Sequence, residues 1–445
     1  MASKYALSLD IIFVSLVAAL SGFLFGYHTG IISGALLFIT EQFHLTIIEQ
    51  GLVVSIILIG GVAGALFGGV LADYLGRKRT LLLTVALFFI ATFYLYDAQS
   101  FAMIMIGRSI AGLAIGIGSV TAPLYIAEVA PKTHRGALVS LNQLMITLGI
   151  LAAFCISYAY AGSSDWRDMF TVGLIPAALQ LLGLFFIPES PAWLISQGKI
   201  AAAEKSLHRL EMDQSQAHYT EGEIKQDHPQ NKSFAALLNP SVRLAFLIGI
   251  GVSVFQQITG INTVIYYAPH IFQLAGFASA KSAIYATTWI GILNVLMTLV
   301  GLWLVDKAGR RRLLLISLCG MAVSLAVLGT AFVAFAAEAG AVAIVSLLVY
   351  IASFAIGLGM VPWLIISEIY PLGIRGRAMG VAIFANWLAN YVVALTFLPL
   401  IQAIGIGGTY LFFTVICLLG IWFSWKKVPE TRGKTFDEIQ QFWHK

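Results

Sequence analysis

The sequence predicts an all-α polytopic membrane protein, with twelve transmembrane helices arranged as two pseudo-symmetric six-helix bundles. Three observations carry this. Of the 445 residues, 59% are hydrophobic and only 11% charged, whereas a soluble domain carries about 25% charged residues. Twelve apolar runs each approach the roughly 20 residues needed to cross hydrocarbon. The motifs of the first half of the chain then return, in order, in the second.

The runs fall at approximately 11–39, 48–72, 80–96, 101–129, 136–160, 168–187, 242–273, 281–305, 313–334, 338–369, 376–400 and 408–425. The first follows Lys4, exceeds the length of a signal-peptide core and has no evident cleavage site, so it is expected to stay as a span. One long polar stretch, Pro188 to Asn239, separates runs six and seven, and patterns such as Ala201–Leu207 predict short surface helices there. The expected organisation is an N-terminal six-helix bundle over 1–187, a cytoplasmic linker with short helices over 188–240, a C-terminal six-helix bundle over 241–425 and a cytoplasmic tail over 426–445.

Arg77, Lys78 and Arg79 follow run two, Lys132 and Arg135 run four, Lys307 and Arg310 to Arg312 run eight, and Arg375 and Arg377 run ten. The alternate loops carry almost no basic residues. Lysine and arginine collect on the cytoplasmic side, so both termini are expected in the cytoplasm of a cell that carries this multi-pass protein in its inner or plasma membrane. The net charge of +5 lies in short clusters between apolar runs, which gives no face for nucleic acid. Cys155, Cys319 and Cys417 form no CxxC pair and read as small core residues. No metal spacing, phosphate loop or other cofactor motif is present. The expected surroundings are lipid bilayer and a small solute, with the chain read as a monomer.

The repeat is explicit. Asp73-Tyr74-Leu75-Gly76-Arg77-Lys78-Arg79 returns as Asp306-Lys307-Ala308-Gly309-Arg310-Arg311-Arg312. Glu128-Val129-Ala130-Pro131 with Arg135-Gly136 returns as Glu368-Ile369-Tyr370-Pro371 with Arg375-Gly376. Pro188-Glu189-Ser190 returns as Pro429-Glu430-Thr431. The spacings are 233, 240 and 241 positions. Three echoes at nearly one offset indicate duplication, and two halves in the same orientation are the layout of a transporter with its site near the midplane.

The stretch Gln256 to Tyr267 lies inside run seven, where unpartnered amides cost several kcal/mol. On a straight helix Gln256 and Asn262 would point about 120° apart, and Gln257 and Asn262 about 140°. A shared cavity therefore requires the helix to bend or break, and Gly260 stands at the place where it could. Interhelical hydrogen bonding is the alternative role for these amides.

With these motifs the chain resembles the sugar porter family of the major facilitator superfamily. The residues that carry the likeness are Gly76-Arg77-Lys78-Arg79, Gly309-Arg310-Arg311-Arg312, Pro188-Glu189-Ser190-Pro191, the Gln256–Tyr267 stretch and Pro429-Glu430-Thr431-Arg432-Gly433. The resemblance implies the major facilitator fold and alternating-access transport of a monosaccharide, hexose or pentose. It places Gln143, Gln256, Gln257, Asn262, Asn294, Trp363, Asn386 and Trp387 at the sugar, and Phe25, Tyr266 and Tyr267 at a gate. Neutral amides both donate to and accept from sugar hydroxyls, and an indole packs on the apolar sugar face. Gly359 and Pro362 read as a hinge in run ten.

The resemblance also implies a cytoplasmic ion-pair latch of Glu128, Glu189, Glu368 and Glu430 with Arg77, Arg135, Arg310 and Arg375. Asp73 and Asp306 join it, since orientation alone does not require acids beside the basic clusters. Ala192 stands where many relatives carry an arginine, which removes one such contact.

For energy coupling, the resemblance assigns a proton-binding aspartate to the position of His28 and an arginine to that of Arg108. His28 titrates in the physiological range when unperturbed. Arg108 and burial would both oppose its charged form. Proton symport and uncoupled facilitation both remain open, with symport preferred because the family's non-animal members are commonly coupled; a third option is a packing role. A sugar sensor is disfavoured by a tail of about 20 residues, and no nucleophile or acid–base pair indicates an enzyme.

Overall fold

The computed structural model describes residues 8–131, 134–211, 240–335, 339–370, 375–434 and 438–439. Among these the regular structure is helical. It consists of α1 (Leu9–Phe43), α2 (Ile47–Leu75), α3 (Arg77–Tyr96), α4 (Phe101–Val129), α5 (Arg135–Tyr160), α6 (Trp166–Thr171), α7 (Leu174–Phe186), α8 (Pro191–Ser196) and α9 (Ile200–Arg209). After the polar segment come α10 (Pro240–Ile258), α11 (Ile261–Leu274), α12 (Ala280–Ala308), α13 (Arg310–Phe335), α14 (Gly340–Ile356), α15 (Val361–Glu368) and α16 (Arg375–Lys427).

Among the described residues, eleven stretches are long and apolar enough to span a bilayer. α6 with α7, α10 with α11, and α14 with α15 each form one interrupted span. The last stretch is 51 residues long, and α16 breaks inside it at Gly405, whose φ of 74° and ψ of 163° are not helical. Its arms, 375–404 and 406–427, each reach the roughly 20 residues of a crossing, which restores the expected twelve. The chain is a multi-pass membrane protein. Large apolar side chains such as Phe67, Phe93, Leu182, Trp303, Val323 and Trp422 face outward, as lipid contact allows and water would not.

The chain divides into two compact units. One holds the described residues of 1–28, 56–150 and 167–228; the other holds those of 29–55, 151–166 and 229–445. In the first, α2 and α4 meet on glycines. A Cβ at Gly64 would lie 2.2 Å from the Leu113 carbonyl oxygen, and one at Gly116 2.2 Å from that of Gly61. Small residues let two backbones approach this closely, and dispersion rather than hydrophobicity then holds them. Val17, Leu81, Tyr125, Ile126 and Leu184 build the core at one end of this unit, and Leu207 of α9 packs onto it. Thus α9 is an amphipathic surface helix, as its pattern predicts, with Ala203, Ser206 and Leu207 buried.

One expectation is corrected. Cys155 and Cys319 are exposed and only Cys417 is buried. In a membrane protein an apolar run is apolar on both its lipid face and its core face, so hydrophobic surroundings in the sequence do not report burial.

Candidate functional site

The site begins where the helix of run seven fails. α10 ends at Ile258 and α11 begins at Ile261, with Gly260 between them in the left-handed conformation, φ 92° and ψ 13°. A side chain there would be strained by about 1–2 kcal/mol, so glycine is the natural occupant. The carbonyls freed by the break find partners: Thr259 O accepts from the Tyr350 hydroxyl at 2.9 Å, and Gly260 O from the Thr263 hydroxyl at 2.6 Å.

The break joins amides that a continuous helix would hold apart. Asn262 Nδ2 donates to Gln257 Oε1 at 2.7 Å, and Gln257 Nε2 donates to Gln256 Oε1 at 3.3 Å and Asn386 Oδ1 at 3.1 Å. From α16, Asn386 Nδ2 donates to Gln256 Oε1 and to Ser253 O, both at 2.7 Å. Gln256 Nε2 in turn donates to Leu358 O at 3.0 Å and Gly359 O at 2.9 Å. Those two carbonyls are available because run ten also breaks, between Ile356 and Val361. Four amides, three from the interrupted span of α10 and α11 and one from α16, therefore form one network tied to the broken span of α14 and α15, with Gln256, Gln257 and Asn386 buried and Asn262 half-buried at its edge.

Other predicted positions lie outside these hydrogen bonds. Trp387 and Asn294 are buried and Trp363 is half-buried, all in the same unit. Gln143 on α5 and Phe25 on α1 are half-buried in the other unit. Tyr266 and Tyr267 are buried one turn beyond Asn262. The Tyr267 hydroxyl donates to Ala394 O at 2.9 Å and its ring lies 5.1 Å from Phe397. Asn390 Nδ2 donates to the Tyr266 hydroxyl at 3.3 Å.

In the first unit His28 and Arg108 are both fully buried. Arg108 Nη1 donates to the His28 backbone carbonyl at 3.1 Å. The His28 ring stacks on Phe88 at 5.1 Å and Phe170 at 6.4 Å, and its Nδ1 has no hydrogen-bond partner.

Two ion-pair clusters occupy equivalent places in the repeat. Arg77 grips Glu128 with Nε at 2.9 Å and Nη2 at 2.7 Å, while Nη1 reaches Asp73 at 3.2 Å. Glu189 accepts from the backbone N–H groups of Arg77, Lys78 and Ser190, capping α3. Burial nevertheless holds the Glu189 carboxyl above the ordinary carboxylate value, outweighing those hydrogen bonds. In the second cluster Arg310 Nη2 pairs with Glu368 at 3.2 Å. Glu430 accepts from the backbone N–H of Arg310 at 2.9 Å and of Arg311 at 3.2 Å, capping α13. Gly76 and Gly309 turn the chain into these caps with φ of 94° and 89°. Arg135 Nε is buried without a hydrogen-bond partner. The side chains of Asp306 and Arg375 lie outside the described residues.

Residues 14–443 match the family described as Sugar (and other) transporter. The chain belongs to the sugar porter family of the major facilitator superfamily. It is 39% identical over 433 residues to the D-xylose transporter of Levilactobacillus brevis, covering 96% of this chain and 94% of that one. It is 37% identical over 435 residues to the galactose-proton symporter of Escherichia coli strain K12, covering 96% and 93%. Among solved structures it is similar to the xylose transporter XylE from E. coli in a partially occluded inward open conformation. There the TM-score is 0.83 at 35% identity, over 96% of this chain and all of that one.

This sugar porter contains polar positions that sequence reasoning missed. Asn390 stands one turn after Asn386, and its Oδ1 is buried without a partner; its place in an apolar run was the available signal. Ser190 donates its hydroxyl to Glu128 and Thr431 donates to Glu368. Both hydroxyls sit inside the Pro-Glu-Ser and Pro-Glu-Thr echo, so the repeat already marked them.

Proposed function

We propose that this sugar porter carries a monosaccharide, hexose or pentose, across the cell membrane by alternating access. The observation that carries it is the closed network of Gln256, Gln257, Asn262 and Asn386 at two helix breaks. Four neutral amides that satisfy one another can exchange those bonds for sugar hydroxyls one at a time, with no charge to desolvate. Trp363 and Trp387 supply indole faces and Gln143 and Asn294 further amides, while Phe25, Tyr266 and Tyr267 gate the path. The two ion-pair clusters act as a latch on the cytoplasmic side, paired in one state and hydrated in the other. Lysine and arginine placement puts both termini in the cytoplasm. The test is uptake of labelled D-xylose, D-galactose and D-glucose into proteoliposomes, each competed by the others. Saturable uptake of at least one sugar is expected; none with any of the three overturns the proposal.

Proton symport is the preferred coupling. Its support is a buried titratable imidazole with an open Nδ1, and the similarity to a galactose-proton symporter. Uncoupled facilitation is the second reading, favoured by the stacking of the His28 ring on Phe88 and Phe170, which suits a packing group. Sugar-induced alkalinisation of the outer medium decides between them. Symport predicts a pH rise that His28→Asn abolishes. Sugar accumulation indifferent to an imposed pH gradient leaves facilitation.

A further inference from the structure

A cavity of about 320 Å³ lies within the second unit, beyond the tyrosine pair from the amide network. Its volume falls at the lower end of the range of about 300–1,000 Å³ typical of small-molecule pockets. The last turn of α1 contributes Thr40 and Glu41, the first turn of α2 Gln50, and α11 contributes Tyr266, Tyr267, His270 and Gln273. Resting on the sugar-carrying reading, we infer that this cavity is a second, outer sugar-binding site, occupied before the tyrosines admit the solute to the amides.

The lining chemistry points to a hydroxyl-rich ligand. The Thr40 hydroxyl is buried without a hydrogen-bond partner, which a buried polar group tolerates only at a cost that a ligand can relieve. Gln50 commits its Nε2 to Leu45 O at 3.1 Å, leaving its Oε1 to accept. Gln273 adds a second amide and Glu41 a carboxylate that accepts two hydroxyls at once. The tyrosine rings supply an apolar surface for the sugar's C–H face. A metal ion is the competing ligand, but no group of three or more His, Cys, Asp or Glu side chains suited to one occurs among the described residues.

The spacing along α11 orders the two sites. Asn262, Tyr266 and His270 follow one another at one helical turn each, so the cavity begins about 6 Å along the axis from the amide edge, at Tyr266, and reaches about 12 Å from it at His270. Between them the tyrosines are tied to α16 through Asn390 and Ala394.

The test uses purified full-length protein and two probes, labelled D-xylose and D-galactose, in equilibrium dialysis and in proteoliposome uptake. Thr40→Val with Gln273→Leu removes outer polar groups, and Gln257→Leu disables the amide network. The wild type is expected to bind two equivalents of the transported sugar. The double variant is expected to bind one, with KM raised about threefold to tenfold and kcat within twofold. Thr40→Val alone, nearly isosteric, carries the test if Gln273→Leu fails to fold. One equivalent bound by the wild type, or a KM unchanged in the variants, overturns the outer site while leaving transport intact. If neither sugar is transported, the functional proposal falls; sugar binding retained in Gln257→Leu and lost in the double variant would still support the cavity as a site.

Discussion

Asn386 donates from its side-chain Nδ2 to Oε1 of Gln256 across 2.7 Å, joining α16 to the end of α10. Both residues are almost fully buried, at a depth where neither lipid nor bulk water can satisfy an amide. The pair ties α10 to α16 within the second unit, and each member remains chemically able to turn to a hydroxyl. On the proposed function, interhelical bonding and sugar binding use the same amide chemistry at different moments.

Gly260→Ala tests the break on which this geometry depends. Alanine at φ 92° is strained by about 1–2 kcal/mol, and its Cβ would meet the Phe413 ring at 3.2 Å. A lower melting temperature in detergent is expected, together with reduced uptake. Gly69→Ala, where nothing lies within 4 Å of the added carbon, should leave the melt unchanged.

The two ion-pair clusters should differ in strength. The Arg77–Glu128 side chains are only 8% and 9% exposed, against 12% and 30% for Arg310–Glu368. Removing one member of a buried pair costs on the order of 3 kcal/mol, and of a more exposed pair about 1 kcal/mol or less. Arg77→Ala should therefore lower the melting temperature more than Arg310→Ala. Arg77→Lys should rescue it poorly, because lysine cannot reproduce the two-pronged grip.

Glu189 predicts a pH dependence. Burial raises its carboxyl above the ordinary 4.5 in the folded protein, so folding favours the protonated acid. That contribution is fully present below about pH 4.5 and is lost as pH rises through the raised value. The melting temperature of wild type minus that of Glu189→Gln should fall as pH is stepped upward from about 4. A difference that is flat or rises with pH contradicts the assignment.

Much of this was legible in the sequence because hydrocarbon makes polar residues conspicuous. The spans, the duplicated Gly-Arg motifs and the break at Gly260 each follow from a residue whose cost in an apolar run is high. What was hidden depends on tertiary partners. Nothing in the sequence near Gln256 announces that Leu358 O and Gly359 O will receive its donors, since those carbonyls become free only when run ten breaks. That Glu189 and Glu430 cap α3 and α13 through backbone N–H groups was likewise invisible, because the motif suggested ion pairs alone. The outward cysteines were missed because lipid and core select the same side chains.

Equilibrium binding of labelled sugar to Gln257→Leu, with its melting temperature measured on the same sample, tests the amide network most directly. Gln257 links Gln256, Asn262 and Asn386, so leucine there should weaken sugar binding at the amides about tenfold or more, leaving only the outer cavity's equivalent, in a protein that still melts cooperatively. Wild-type stoichiometry and affinity in that variant would mean that the amides only hold helices together, and the transported sugar's site lies elsewhere.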